Sequence, residues 1–385
     1  MGLGFFLNKK DNEMKKILLF LTTLLSIGAQ AQISGDGYYR IQNNASERYL
    51  TIKDDITGEI DYSAGNVDLS NLRTWRGFDL VKANPASVFY VRNVSGTQYD
   101  LEAQGTSIYK LTGGKKFIDV YDEGGIYLFE ATSSGISANL YDSNNSSERG
   151  YVSIKKSASG YQYWRFVPIK TDGEYLGLQP TVQTADGWYG TVYASYPFKL
   201  ASNNVTVYYV DGVHEGQFQL KQIESDIIPA ATPLIFKSDS NDPAQNKVIP
   251  IHETTTAPTD NLLGGTYFAN SIDGHIARKQ FNESSMRVLG VNDNNELIFT
   301  TASKSYLTEN LYIPMNTCWL NVPTGLTGDF KLVSRDTFTG VTSIETTPQE
   351  SAVKGTFTLS GVQVDDNKAL RPGIYIKNGQ KIVIK

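Results

Sequence analysis

The distribution of apolar residues along the chain predicts β-strands throughout. From Gly37 to about Ile169, short runs of Tyr, Phe, Val and Ile alternate with polar residues and break at Gly, Asn, Ser and Asp. Alternation with a period of two is the pattern of a half-buried strand, and no segment keeps the 3.6-residue period of an amphipathic helix. The pattern predicts an all-β protein whose first third is an antiparallel barrel or sandwich.

This first third also contains three internal units of about 45 residues, which we place at 37–80, 88–129 and 138–166. The best evidence is a Trp-Arg pair with a Phe just after it, at 75–76 and again at 164–165. A threefold barrel needs large aromatic side chains to fill its floor, and Trp75 and Trp164 fit that role.

Longer strands follow a polar linker near residues 170–175 and predict a second domain. Asn203-Asn204 and Asp211-Gly212 are predicted turns, because Asn and Gly tolerate positive φ. Asn292–Glu296 is predicted to be a hairpin turn, since the Gly and the terminal Glu of a calcium loop are missing. We expect residues 170–340 to form an antiparallel β-sandwich of about seven to ten strands.

The end of the chain, residues 341–385, is predicted to be a separate piece. A linker rich in Thr, Ser and Glu is followed by three short strands joined by tight turns. Asn378-Gly379 is the strongest hairpin signal in the sequence. Three short strands are marginal by themselves, so we expect them to need a partner surface.

Residues 1–31 have the features of a leader with a secretory signal peptide. Lys15-Lys16 precede the apolar run Ile17–Leu25 and the small-residue segment Ala29–Ala31, which predicts cleavage after Ala31. The apolar run is too short to span a bilayer, so we expect no membrane span after cleavage. The mature trefoil or barrel would then occupy residues 32–169.

Composition and chemistry narrow the function classes. A formal net charge of -5 gives no basic field for phosphate backbones, which disfavours nucleic acid as a partner. Cys318 is the single cysteine, so no internal disulfide can form and we predict it to be a buried strand residue.

The sequence also lacks a motif for catalysis. His214, His252 and His275 form no zinc-binding pair, and the sequence has neither a Gly-x-Ser-x-Gly elbow nor a phosphate-binding glycine loop. We therefore predict no catalytic residue, no metal and no cofactor. Two carboxylates for glycoside cleavage can come from distant segments, so a hydrolase stays open.

The first third of the chain resembles a ricin-type β-trefoil lectin domain. The matching residues are Gly37–Asn43, Arg48–Ile52 and Gln162–Trp164, the last of which fits the family's Gln-x-Trp signature. The resemblance implies a β-trefoil with a shallow sugar site. The family's sugar-holding aspartate is matched at Asp119, while Thr51 and Ser153 stand at the equivalent places.

In such a site an aromatic face stacks on the sugar while carboxylate and amide groups hold its hydroxyls. The ligand-binding residues predicted on that basis are Asp119, Tyr121, Tyr127 and Trp164.

The end of the chain resembles the C-terminal sorting domain of the type IX secretion pathway of Bacteroidota. The matching elements are the turn Leu359–Gly361, the block Leu370–Tyr375 and the ending Gly379–Val383. The resemblance implies that residues 341–385 engage the secretion machinery and that the protein is exported or held at the cell surface.

The predicted function is a secreted or cell-surface, non-enzymatic protein that binds an extracellular glycan. Two alternatives stay open. One is a structural or adhesive protein that binds a surface protein through a projecting loop at Glu102–Gly114 or Asp142–Gly150. The other is an accessory module of a glycan-degrading system with hydrolase activity.

Overall fold

The computed structural model describes the chain in segments. These are residues 33–52, 72–77, 81–107, 118–133, 136–143, 149–155, 159–170, 173–214, 216–267, 279–334, 355–358, 363–364, 370, 372–377 and 380–384. Strands dominate their regular structure, so the predicted all-β class is confirmed. Four predicted features lie outside the described residues: the leader with its signal peptide, the linker Thr342–Ala352, the turn Leu359–Gly361 and His275.

The chain divides into two compact units, Met1–Phe338 and Thr339–Lys385. The first unit begins with eleven strands that belong to one sheet. They are β1 (Gly37–Asn43), β2 (Tyr49–Ile52), β3 (Leu72–Trp75), β4 (Phe89–Ser95), β5 (Gln98–Ala103), β6 (Thr106–Ser107), β7 (Ile118–Asp122), β8 (Tyr127–Ser133), β9 (Ile136–Asp142), β10 (Arg149–Lys155) and β11 (Tyr163–Pro168).

These strands close into a β-trefoil barrel. The sheet order is β11-β1-β2-β3-β10-β9-β8-β7-β5-β4, with β6 beside β5 and further pairings of β11 with β8 and of β1 with β4. Strands β1, β5 and β8 each open a unit, and each pairs with the strand that closes its own unit, β4, β7 and β11 respectively. The hairpins β2–β3 and β9–β10 meet through the β3–β10 pairing and form part of the layer that covers one end of the barrel.

The units differ from the predicted ones in their boundaries. The second unit begins with β5 at Gln98 rather than at Val88, because β4 pairs with β1 and closes the first unit. The second unit ends with β7, and the third begins at Tyr127 rather than Ala138, because β7 and β8 form a tight hairpin in which Asp122 pairs with Tyr127. Gly124 and Gly125 make this turn possible, since both have positive φ. The boundary therefore falls in a four-residue turn that the alternation pattern alone does not distinguish from other turns.

Fourteen strands of the same compact unit follow. They are β12 (Leu176–Gly177), β13 (Val182–Thr184), β14 (Gly187–Val192), β15 (Phe198–Leu200), β16 (Val205–His214), β17 (Gln217–Gln222), β18 (Ile227–Ile228), β19 (Leu234–Ser238), β20 (Lys247–Pro250), β21 (Leu263–Thr266), β22 (Met286–Val291), β23 (Leu297–Thr300), β24 (Thr317–Asn321) and β25 (Phe330–Ser334).

They form a four-stranded sheet, β12-β20-β15-β18, and a ten-stranded sheet, β13-β14-β19-β16-β17-β25-β23-β22-β24-β21. Strand β19 shows why the two sheets are layered. Leu234 and Phe236 belong to one apolar cluster and Ile235 to another, so both faces of this strand are buried. A strand buried on both faces has a continuous apolar run in place of alternation.

One pairing departs from the expected antiparallel sandwich. Strands β17 and β25 pair in parallel, with Phe218 opposite Leu332. The long path through β18–β24 brings the chain back to β17 from the same end, which a short hairpin connection cannot do.

The described residues of the second compact unit contain four short strands where three are predicted. They are β26 (Thr356–Thr358), β27 (Gln363–Val364), β28 (Gly373–Lys377) and β29 (Gln380–Ile384), in the order β27-β26-β28-β29. The predicted hairpin is confirmed by the pairing of Lys377 with Gln380. The additional strand β27 is only two residues long, too short to leave a period in the sequence.

Candidate functional site

Trp164, one of the four predicted ligand-binding residues, lies in the barrel core. It is fully buried on β11, stacks on Phe129 with ring centroids 6.0 Å apart, and donates its indole N–H to the carbonyl of Leu140 over 3.2 Å. It is therefore the aromatic floor of the barrel. Trp75 is not its counterpart, because it lies half-buried on β3, the third strand of its unit.

Tyr127 is also a core residue. Its ring meets Phe166 edge-on at 5.1 Å, and its hydroxyl accepts the backbone N–H of Ile33 over 2.9 Å. Burial raises the pKa of Tyr127, which keeps the phenol protonated. Only 3% of this side chain is exposed, so it has no surface to offer a sugar.

Asp119 and Tyr121 face outward, on the same side of β7. They alternate with Ile118 and Val120, which are buried in the core. Because side chains two residues apart in a strand share a face, Asp119 and Tyr121 form one surface. The Asp119 carboxylate accepts the hydroxyl of Thr97 over 2.9 Å, and 38% of Tyr121 is exposed.

Strand register extends this surface across five strands. Residues directly opposite in antiparallel strands lie on the same face, with Cβ atoms about 5 Å apart. The pairings therefore create a continuous polar line, which we call the rim row: Gln98, Asp119, Glu130, Asn139 and Lys155.

Aromatic side chains accompany the rim row. Tyr141 lies two residues after Asn139 on β9, and the Lys155 ammonium sits 3.9 Å from the centre of its ring. Burial, followed by the charges of Glu130 and Asp119, raises the pKa of Tyr121. The face thus presents two carboxylates, two amides, an ammonium and two tyrosine rings.

Sequence reasoning identified two of these residues and missed the others. The missed residues lie on four further strands, and only the register brings them beside Asp119: Gln98, Glu130, Asn139, Tyr141 and Lys155. The outward orientation of Glu130 could have been predicted from the sequence. Successive side chains of a strand point to opposite faces, so Glu130 faces outward if its neighbour Phe129 lies in the core.

A buried ion pair holds this part of the trefoil together. The Arg48 guanidinium binds Asp142 through Nε–Oδ2 at 2.8 Å and Nη2–Oδ1 at 2.7 Å, and both side chains are almost fully buried. Asp142 also accepts the hydroxyls of Ser46 at 2.6 Å and Thr74 at 2.9 Å. The pair fastens the first unit to β9, the strand that carries Asn139 and Tyr141.

Other candidate chemistry is accounted for by packing. Cys318 lies on β24, fully buried as predicted, with its thiol donating to the carbonyl of Val192. His252 stacks on Tyr38 at 5.2 Å, and His214 lies exposed at the end of β16. Within the described segments, no group of three or more His, Cys, Asp and Glu is arranged to hold a metal ion. The same residues include no helix long and apolar enough to cross a membrane.

The strand pairings define the first part of the chain as a β-trefoil, a fold used by sugar-binding proteins among others. No protein-family model matches the sequence, and no curated protein shows a significant match. Solved structures, including the following two, are similar to about a third of it. One is the designed threefold-symmetric protein ThreeFoil, with 17% identity, 34% of this chain and 99% of that chain covered, and a TM-score of 0.25.

The other is the Polyporus squamosus lectin, solved with a human-type influenza-binding epitope. It shows 14% identity and a TM-score of 0.26 over 37% of this chain and 52% of the lectin chain, about half of its length. The trefoil assignment rests on the strand pairings described above, not on these two matches.

Proposed function

We propose that the protein binds an extracellular carbohydrate through the rim row and its two tyrosines. The observation that carries this proposal is the alignment of Asp119, Glu130 and Asn139 on one outward face beside Tyr121 and Tyr141. Carboxylate and amide groups can hold sugar hydroxyls, while a tyrosine ring packs on the sugar's C–H face.

A glycan array with the purified protein tests this proposal. We expect binding to at least one glycan class, weakened about tenfold or more by Asp119→Ala, because hydrogen bonds to a charged group contribute about 1.5–3 kcal/mol. Glu123→Ala is the matched control, since it removes an exposed carboxylate from the next turn. If the array is silent, or if Asp119→Ala binds like the parent, the rim row is not a sugar site.

The adhesive alternative predicts a different pattern. The array would be silent, and the immobilised protein would retain a defined surface protein from its host or from neighbouring bacteria. The suggested loops Glu102–Gly114 and Asp142–Gly150 fall partly outside the described residues.

A second candidate function is glycoside hydrolysis, favoured by one observation. Asp119 and Glu130 stand directly opposite each other on β7 and β8. Cross-strand neighbours lie about 5 Å apart at Cβ, close to the carboxylate spacing of about 5–5.5 Å in retaining glycosidases. Incubation with polysaccharide panels distinguishes the two functions: a hydrolase releases reducing ends that Glu130→Gln abolishes, and a binding protein releases none.

We also propose that the second compact unit acts as a type IX sorting domain, which places the protein outside the cell. The four-stranded unit β26–β29 and the sequence resemblance support this. In a Bacteroidota host with a working type IX machine, the full chain should reach the medium or cell surface. A chain without residues 341–385 should stay in the periplasm, and equal export of both chains would rule out a sorting role.

A further inference from the structure

A second concave site lies in the first compact unit, away from the trefoil strands. It is a cleft of about 540 Å³ over the ten-stranded sheet, a volume within the range of small-molecule sites. The hairpin β13–β14 forms one wall, and the start of β23 together with β25 forms the other. We call it the sheet cleft.

Two ion pairs stand on opposite walls of the sheet cleft. Lys237 Nζ binds Asp186 Oδ2 at 2.9 Å on one side, and Lys331 Nζ binds Glu296 Oε1 at 2.5 Å on the other. The four groups have no net charge together. Each wall therefore offers an acceptor and a donor side by side.

Neighbouring side chains fix the two carboxylates in place. Asp186 accepts the hydroxyls of Thr184 at 2.5 Å and Tyr189 at 3.1 Å. Glu296 accepts the side-chain N–H of Asn292 at 2.9 Å. Groups that are already ordered lose little conformational entropy when a ligand arrives.

Both carboxylates are ionised at neutral pH. Burial acts to raise the pKa of Asp186, but hydrogen bonds from Thr184, Lys237 and Tyr189 outweigh it and hold that pKa below its usual value. The hydrogen bond from Lys331, followed by that from Asn292, lowers the pKa of Glu296. The carboxylates on both walls are thus negatively charged at neutral pH.

Between these walls lie apolar side chains and a tyrosine ring. Tyr208 and Leu220 are half-buried, and Leu332 is buried beside them. A ring and aliphatic side chains framed by charged pairs suit a ligand with an apolar face and a polar edge.

We propose that the sheet cleft is a second saccharide-binding site, selective for a neutral oligosaccharide. A sugar hydroxyl can donate a hydrogen bond to a carboxylate and accept one from an ammonium at the same time. Two adjacent hydroxyls can therefore bind the carboxylate and the ammonium of one ion pair while that ion pair stays intact. A charged ligand would instead meet a like charge beside every opposite one. Tyr208 then packs against the sugar's C–H face.

This site does not depend on the rim row, and it makes the protein bivalent if both bind. Rim row and sheet cleft belong to the same compact unit, so two contacts along one polysaccharide would reinforce each other through a raised effective concentration.

The test uses the full chain with Asp119→Ala and Tyr121→Ala, so that the rim row no longer contributes. Saturation-transfer NMR and calorimetry are run against cellotetraose, maltotetraose, xylotetraose, mannotetraose and, as the charged probe, tetragalacturonate. We expect one neutral tetrasaccharide to bind with a stoichiometry of one. Adding Tyr208→Ala should weaken it by about tenfold or more, the loss of roughly 1.4 kcal/mol of ring contact.

Tyr208→Phe keeps the ring and should bind like the background protein, and Tyr312→Ala, a half-buried tyrosine outside the cleft, is the control for nonspecific effects. Circular dichroism checks that each variant is folded. The proposal is overturned if every neutral probe binds more weakly than about 1 mM, if Tyr208→Ala leaves affinity unchanged, or if tetragalacturonate binds best. Failure of the rim row instead appears in a Tyr208→Ala background, where the sheet cleft no longer contributes, as array binding that Asp119→Ala leaves unchanged.

Discussion

The side chains of Arg48 and Asp142 show how a single buried pair can support a fold without being its main source of stability. Each charge is removed from water, and four hydrogen bonds within the cluster compensate for that loss. Gly150 leaves room for the cluster, because a Cβ there would lie 2.5 Å from Asp142 Oδ1. Removing one charge leaves the other buried and unpaired.

We predict that Asp142→Ala lowers the free energy of unfolding by about 3–5 kcal/mol. Urea denaturation followed by tryptophan fluorescence measures this change. Asp226→Ala removes an exposed carboxylate that pairs with Lys199 at 3.3 Å, and it should change stability by less than about 0.5 kcal/mol. Equal effects of the two substitutions would show that the buried pair is not structurally important.

Cys318 provides a second test at the residue scale. Burial raises the pKa of its thiol, so the reactive thiolate does not form in the folded protein. At about pH 8.5, where an exposed thiol is half ionised, we expect no reaction with a disulfide reagent. One thiol per chain should appear on addition of concentrated guanidinium, and rapid labelling of the native protein would contradict the burial.

At the scale of strands, the sequence pattern located many elements but not their partners. Asn203-Asn204 and Asn292–Glu296 are turns as predicted, the latter closed by Asn292 Oδ1, which accepts the backbone N–H of Asn294 and of Glu296. The predicted turn at Asp211-Gly212 was wrong. These residues lie inside β16 at an irregularity in its pairing with β17.

The reason is that a β-bulge and a turn both favour residues with unusual backbone angles. Local sequence does not tell them apart, because the difference lies in whether a partner strand continues on the far side. The rim row could not be predicted from local sequence for the same reason. The sequence shows which residues are present, but only the register of the strand pairing places them side by side.

Close packing between β21 and β24 gives a prediction at this scale. Gly264 faces Trp319 across the strands, and a Cβ at that position would lie 2.5 Å from the indole Cε2. We expect Gly264→Ala to lower the free energy of unfolding by about 1–3 kcal/mol, since the ring must move.

Chemical denaturation measures this effect, with Gly160→Ala as its control. A Cβ at Gly160 would lie 3.3 Å from the nearest atom, so that change should stay near about 0.5 kcal/mol. Adding Trp319→Phe to Gly264→Ala should recover part of the lost free energy of unfolding, because the smaller ring leaves room for the new Cβ. If the effects of the two substitutions simply add, the new Cβ does not clash with the indole.

At the scale of the whole molecule, the trefoil is packed against the strands that follow it. Arg40 on β1 is fully buried and reaches Ser87, Glu174 and the carbonyl of Tyr175, the last at 2.6 Å. On another part of this contact, the Gln104 and Asn316 amides bond each other reciprocally at 2.7 and 3.0 Å.

We therefore predict that the trefoil and the two following sheets unfold in one transition. Arg40→Met should cost about 3 kcal/mol, because it leaves Glu174 and the Tyr175 carbonyl without their partner. Calorimetry should show the parent as a single peak and the variant as a broadened or divided one. Lys170→Ala, which removes an exposed bond to Ser34, should leave the peak in place.

The sequence by itself determined the all-β class, many of the turns, the buried position of Cys318 and the outward orientation of Asp119 and Tyr121. These depend on local alternation and on the backbone preferences of Asn and Gly. Sequence reasoning assigned Trp164 two roles, barrel floor and ligand contact, and the tertiary structure decided for the floor. Only the tertiary structure decided that Tyr127 lies in the core, that Glu130, Asn139 and Lys155 stand beside Asp119, and that two ion pairs frame the sheet cleft. Each of these facts depends on which strand pairs with which, and at what register, across long stretches of chain, and a short run of residues does not contain that information.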